Sequence, residues 1–225
     1  MGNKKELYII GAGGFGRETA WLVERINGRM PEWDLMGFIE QDTKVENTIL
    51  SKYKIVGGED HFNTVDHPVW VVCAVATANR RKEIIRRLKR NPNIRFATLI
   101  DPSVIFSSQV KIGEGCIICA RTVFTINVTV GSHVIINLGC TVGHDTVIGD
   151  YVTVNPGANL SGNVVVGSCS ELGTGMQVIQ GRMIGEGSLI GAGAVVTTDI
   201  PGNCTAVGIP ARPIKYFEDG QGKLE

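Results

Sequence analysis

No stretch of the 225-residue sequence approaches the roughly 18 uninterrupted apolar residues of a membrane-spanning helix. The opening MGNKKELYII has no apolar core of the kind a secretory signal carries, and Glu6 stands where a myristoylation signal has Ser or Thr. A soluble, cytoplasmic protein with no membrane partner is the expectation. Neither sign of charge is in excess: 22 Lys and Arg face 22 Asp and Glu, divided as +4 over residues 1–99 and −4 over residues 100–225. Such mild balances give no argument for a nucleic-acid partner. Histidine is scarce, at His61, His67, His133 and His144. The last two alone fall in the second half and cannot supply three histidine ligands to a catalytic zinc, so no metal is expected. His61 and His67 lie in loop-like sequence beside Asp60 and Asp66 and read as surface residues. The six cysteines are scattered at 73, 116, 119, 140, 169 and 204, and read as small core or corner residues.

What the sequence has in abundance is rhythm. Every sixth residue from Ile112 to Val196 is aliphatic or aromatic, fifteen in succession and including Ile118, Phe124, Val142, Leu160 and Ile190. An amphipathic helix repeats at about 3.6 residues and a half-buried strand at about 2, so a period of six requires a chain that turns at fixed intervals. That pattern predicts a left-handed parallel β-helix of hexapeptide repeats, three hexads to a triangular coil. Residues 18 apart then become neighbours, about 4.8 Å from one coil to the next. The small or β-branched residues four places on, such as Cys116, Thr122, Val128, Cys140 and Ala158, are expected to point inward. Glycines directly after the repeat position, among them Gly113, Gly131, Gly143 and Gly173, are expected at tight corners with left-handed φ. Asp101 to Val110 forms a lead-in coil, and Pro201, Pro210 and Pro213 mark the exit, since proline cannot continue the ladder.

The first 99 residues read differently. Leu7 to Ile10 is a short apolar strand, Gly11-Ala12-Gly13-Gly14-Phe15-Gly16 is a sharp turn, and Arg17 to Asn27 is a helix stopped by Gly28. A second strand, Leu35 to Ile39, ends at Glu40, Gln41 and Asp42, near the place where a dinucleotide fold carries its ribose-binding acid. Val69 to Ala76 is a third apolar run, Asn79 to Asn91 a helix, and Phe96 to Ile100 a strand into the second domain. Arg80, Arg81, Lys82, Arg86, Arg87, Lys89 and Arg90 read mostly as a solvated basic face. The order βαβαβ makes this an α/β half-Rossmann domain. One half can hold one nucleotide, such as that of a nucleotide-linked sugar, whereas NAD needs two. The alternative is that the glycines only let the first helix pack closely.

One constellation in the repeat carries chemistry. His144 follows Gly143 at a corner, where its side chain would project outward, and Asp145 is adjacent. Imidazole is the ordinary general base for an amine or hydroxyl attacking an acyl carbonyl. Asn137 lies about one corner earlier. By the 18-residue stacking, His144 faces Gly162, which leaves space for a thioester, and Asn137 stacks on Asn155.

The run Asn137-Leu138-Gly139-Cys140-Thr141-Val142-Gly143-His144-Asp145, with Ile148-Gly149-Asp150-Tyr151, Asn155-Pro156-Gly157-Ala158, Leu160-Ser161-Gly162-Asn163 and Val207-Gly208-Ile209-Pro210-Ala211-Arg212, closely resembles bacterial hexapeptide acyltransferases. Within these it is similar to the PglD/NeuD family of sugar acetyltransferases. The resemblance spans the chain, because members also open with a strand and a GxGGxG turn. It implies a catalytic base at His144, an orienting acid at Asp145 and a site-lining Asn137. It implies that backbone at Gly162, Thr174 and Ala192 holds the pantetheine arm of acetyl-CoA between subunits. Gly11, Gly13, Gly14, Gly16, Glu40 and Asp42 would cradle the nucleotide-sugar, and the protein would be a homotrimer. The sequence departs from the pattern at Thr153, where some members have a second histidine, and at Glu40-Gln41, where some have paired aspartates.

The resulting expectation has two domains, 1–99 for the nucleotide-sugar and 100–225 for acetyl transfer. The activity expected is acetyl-CoA-dependent N-acetylation of a nucleotide-linked deoxy-aminosugar of the 4-amino-4,6-dideoxy type, for bacterial surface glycan synthesis. The alternatives are O-acetylation of a sialic-acid-type sugar and a non-catalytic nucleotide-sugar-binding scaffold. The residues do not choose between UDP, GDP and dTDP.

Overall fold

The computed structural model describes residues 4–41 and 47–217. Its first unit contains β1 (Lys5–Ile10), α1 (Gly14–Arg29), β2 (Trp33–Ile39), β3 (Ile49–Leu50), β4 (Tyr53–Gly57), β5 (Val69–Cys73), α2 (Ala78–Leu88) and β6 (Ile94–Phe96). The sheet order is β3-β4-β2-β1-β5-β6, with every pair parallel except the β3-β4 hairpin. Strand β1 is apolar on both sides because both are covered. Leu7 and Ile9 pack with Ala20 and Val23 of α1, while Tyr8 and Ile10 pack with Ile84 and Ile85 of α2. Helix α1 starts three residues earlier than its periodicity predicts, inside the glycine turn, and runs through Gly28. The expected strand from Phe96 to Ile100 is divided. Ala97 N–H still bonds Val71 O at 2.9 Å, but β7 (Leu99–Ile100) has already joined the second unit, with Leu99 N–H on Cys116 O at 2.8 Å.

That second unit is the left-handed β-helix. Two-residue strands fall on three faces. The first face carries Ile117–Ile118, Ile135–Ile136, Thr153–Val154, Glu171–Leu172 and Leu189–Ile190. The second carries Val123–Phe124, Thr141–Val142, Asn159–Leu160, Gln177–Val178 and Val195–Val196; the third carries Lys111–Ile112 through Met183–Ile184. From Leu99 to Val196 the pairings between successive coils join residues 18 apart, as in Thr141↔Asn159; at the exit the spacing shortens to 16, as in Leu189↔Thr205. The repeat residues form one continuous core, and the residues four places on share it at zero exposure: Cys116, Thr122, Val128, Cys140, Thr146 and Ala158. Inward hydroxyls and thiols are accommodated because they donate to backbone carbonyls, through most of the stack to one fifteen residues on. Thr122 Oγ1 bonds Asn137 O at 3.2 Å, Cys140 Sγ bonds Asn155 O at 3.3 Å, and Thr146 Oγ1 bonds Ser161 O at 3.1 Å.

The glycines after the repeat position correct the expectation of left-handed φ. Left-handed backbone falls two residues later, at Asp145 (φ 59°) and Gly139 (φ 67°), for example. What Gly143 satisfies is proximity, because a Cβ there would lie 2.5 Å from Gly162 N on the next coil. At the exit the ladder outlasts Pro201: Cys204–Val207 adds a parallel strand, and Arg212–Tyr216 turns back antiparallel. Pro213 is tolerated in that last strand because it is an edge.

The two units meet along the first face. Its outward Leu99, Ile117 and Ile135 are buried in the same cluster as α1 and β1. Asp101, 2% exposed, receives Arg25 from α1 and Ser103 from its own coil. Helix α2 is capped from the β-helix, with Ala78 N–H donating to Glu171 Oε1 at 2.8 Å. Arg81 departs from its predicted solvated face and is 1% exposed. Its guanidinium donates to the carbonyls of Val75, Ala76, His133, Tyr151 and Val152 at 2.6–3.2 Å. The neighbouring basic residues of α2, Arg80, Lys82, Arg86 and Arg87, do face solvent. His133 lies beside Arg81, buried, stacked on Tyr151 with centroids 5.2 Å apart and edge-on to Phe96. Burial first, then the charge of Lys89, lowers its pKa to about 4.

Two outcomes follow from this seam. Arg81→Met should lower the unfolding free energy by about 3 kcal/mol or more, because buried carbonyls lose their donors; denaturant titration of the whole chain measures it. His133 is neutral in the folded chain down to about pH 4, whereas an unfolded histidine takes its proton at about 6.5. The unfolded state therefore binds more protons between those values, and stability falls as pH drops through that window. His133→Asn tolerates the left-handed φ of 57° and does not titrate. Its melting temperature should vary less between pH 6.5 and 4 than that of the parent.

Candidate active site

His144 and Asp145 close the corner between the second and third faces, after Thr141–Val142. The tight turn puts Asp145 in left-handed backbone, with its N–H on Ile126 O at 3.0 Å, and Asn163 N–H reaches His144 O at 2.7 Å. Both side chains are about half exposed, and His144 Nδ1 lies 2.8 Å from Asp145 Oδ2. A carboxylate can only accept here, so in the neutral ring Nδ1 carries the hydrogen and Nε2 keeps its lone pair. The hydrogen bond from His144, then that from Asn127, pulls the Asp145 carboxyl below its ordinary pKa.

Gly162 does lie opposite His144, as the stacking predicts, but with a different consequence. The imidazole itself covers the glycine: a Cβ at Gly162 would be 2.3 Å from Nε2. The missing side chain makes room for the base, not for a thioester.

The remaining expected residues lie elsewhere. Asn137 closes the preceding corner, between the first and second faces, and its Oδ1 accepts Leu138 N–H at 2.8 Å. Thr174 and Ala192 are stacked on that same corner, where Thr174 O accepts Gly193 N–H at 2.8 Å. Beside Asn137 a cavity of about 680 Å³ opens between Trp21 and Arg25 of α1 and Arg121, Leu138 and Gly139. Thr153 is buried on the first face, and its hydroxyl donates to Ala76 O at 2.6 Å. It is a seam residue and has no free hydroxyl to offer a substrate.

In the first unit, Gly11 (φ 97°) and Gly16 shape the turn, and a Cβ on Gly16 would fall 2.0 Å from Gly11 O. Gly13 and Gly14 face open space instead, and α1 begins there with no side-chain cap and no acid in its first turn. Free N–H groups at such a terminus suit phosphate oxygens. Glu40 holds the turn from the end of β2, accepting Ala12 N–H at 3.1 Å and Gln41 N–H at 3.0 Å. A cavity of about 180 Å³ lies over these groups, lined by Gly11, Gly13, Glu40, Gln41, Glu59 and Arg80. Asp42 lies outside the described residues. Glu59 was not legible in sequence; it accepts from Gln41 and, through both oxygens, from Arg87. Asn127 could have been found by subtracting one coil from Asp145. Among the described residues no group of three or more His, Cys, Asp or Glu could hold a metal ion, and no helix is long and apolar enough to cross a membrane.

The profile of the PglD N-terminal domain matches residues 6–88. A search of curated proteins gives no match. Among solved structures, WeeI from Acinetobacter baumannii AYE is similar at 30% identity and TM-score 0.84, over 94% of this chain and 100% of that one. The acetyltransferase domain of PglB from Neisseria gonorrhoeae FA1090 is similar at 29% identity and TM-score 0.85, over 94% and 100%, and has also been solved with acetyl coenzyme A. PerB from Caulobacter crescentus, solved with CoA and GDP-perosamine, is similar at 26% identity and TM-score 0.80, over 92% and 96%. A glycine-turn α/β domain continued by a hexapeptide β-helix, matched along its length by these proteins, belongs to the PglD/NeuD-type family of hexapeptide sugar acetyltransferases.

Proposed function

We propose that the protein transfers the acetyl group of acetyl-CoA to the amino group of a nucleotide-linked 4-amino-4,6-dideoxy sugar, with His144 as general base. The observation that carries this reading is the His144–Asp145 pair, whose Nε2 keeps its lone pair at an exposed corner over Gly162. Acetyl-CoA as cosubstrate agrees with the CoA complexes of related proteins. An amino sugar as acceptor agrees with the N-acetyltransferase named among them, solved with CoA and GDP-perosamine.

In this reading the amine attacks the acetyl carbonyl while Nε2 takes its proton, and Asp145 stabilises the imidazolium that forms. The C–S bond breaks, coenzyme A leaves as thiolate, and the imidazolium proton balances that charge. No acyl-enzyme is required. The six cysteines are all buried, and burial pushes the Cys140 thiol up to about 11.

Asn137, Thr174 and Ala192 share one corner, His144 and Gly162 the next, and the nucleotide cavity lies in the other unit. We read this separation as that of a site completed between copies in a homotrimer. The corner of Thr174 and Ala192 suits a pantetheine arm, because its residues are small and stacked. A Cβ on Gly173 would meet Ala192 N at 2.5 Å. The open terminus of α1, with Gly11, Gly13 and Glu40, is the place for the nucleotide diphosphate and ribose.

The test is a panel of UDP-, GDP- and dTDP-linked 4-amino-4,6-dideoxyhexoses with acetyl-CoA, read by thiol release and product mass. His144→Gln should reduce kcat by about 100-fold or more, with acetyl-CoA affinity retained; near-normal turnover would remove the base. Gly162→Ala should also reduce kcat, with little change in melting temperature, since the added methyl meets a side chain that can swing away. A hydroxyl acceptor giving an ester would establish O-acetylation instead.

A further inference from the structure

We infer that Asn127 is a positioning residue of this site, one that fixes the Asp145 carboxylate and through it the tautomer of His144. The inference rests on His144 as the base. Asn127 lies one coil before Asp145, and its Nδ2 donates to Asp145 Oδ1 at 3.1 Å while Oδ2 faces the imidazole at 2.8 Å. Each carboxylate oxygen thus has its own partner. A half-exposed aspartate with one partner is free to turn about its side-chain bonds; with two it is held.

The backbone makes the arrangement possible. Asn127, Asp145 and Asn163 form a column of left-handed residues with φ of 57°, 59° and 57°. On the neighbouring corner the same column runs Arg121, Gly139, Gly157 and Gly175, with glycine at three of these four positions. Left-handed backbone accepts Gly, Asn and Asp with least strain. Conformation alone therefore does not distinguish asparagine from glycine at 127; the amide aimed at Asp145 does. If the carboxylate turns away, nothing selects Nδ1–H over Nε2–H, and a ring protonated at Nε2 cannot accept a proton there.

Asn127→Gly isolates the amide, because glycine suits the same φ and leaves the coil intact. Nitrogen-15 NMR of the histidine rings in the full-length protein, with the His144 signal assigned by His144→Gln, reads the tautomer without any sugar substrate. The expected result is a Nδ1–H ring in the parent and a raised Nε2–H fraction in Asn127→Gly. Turnover of the best substrate in the dideoxyhexose panel should fall on the order of tenfold in kcat, with KM for acetyl-CoA unchanged. Asn127→Asp keeps the shape, loses the donor and sets a second carboxylate beside Asp145, so the acid limb of its pH–kcat profile should move to higher pH. An unchanged tautomer or an unchanged kcat in Asn127→Gly overturns the inference. Normal turnover in His144→Gln overturns the base assignment instead, and the two failures are separately visible.

Discussion

Coil-to-coil contact is the constraint on which the second half of the molecule depends. Parallel strands of two residues have no stability of their own; each is held only because the coil 18 residues away offers its backbone at hydrogen-bonding distance. That distance decides the residue types. The repeat position fills the triangle, the position four on is mostly small or β-branched, and the residue after the repeat is often glycine because backbone from the next coil lies against it. Two residues further the chain turns through left-handed φ, most often at Gly, Asn or Asp but also at Arg121, His133, Tyr151 and Cys169. The candidate base and its acid occupy such a corner, so the geometry of the His144–Asp145 pair is inherited from the stacking.

The seam between the units is more polar than the core on either side. Arg81 gathers five carbonyls from its own loop and from two coils of the β-helix, while Glu171 caps α2 and Thr153 binds Ala76. A guanidinium is suited to this because its planar donors reach several acceptors at once without needing a counter-charge. These bonds tie the α2 side of the glycine-turn domain to the first face. The N-terminus of α2 is closed by Glu171, whereas that of α1 remains uncapped beside the 180 Å³ cavity.

Much of this is written along the chain, and what is missing is missing for identifiable reasons. The hexad pattern is legible because each coil repeats the same packing problem. His144, Asp145 and Gly162 are legible because 18-residue arithmetic converts sequence distance into spatial contact. The same arithmetic could have exposed Asn127. It fails for Arg81 and Glu59, whose partners come from segments with no fixed spacing to them. A basic helix gives no sign of which residue turns inward. Thr153 is instructive in the same way: its number relates it to His144, but its face is the one covered by the other unit.

Sequence by itself determined the β-helix, the glycine-turn α/β domain and the candidate base, because each depends on short-range periodicity or on a local turn. Tertiary structure alone decided that the His144 ring lies over Gly162 and that Arg81 and His133 are buried. Those outcomes depend on which surfaces cover one another. Coverage is a property of the packed units, and no residue carries it in isolation.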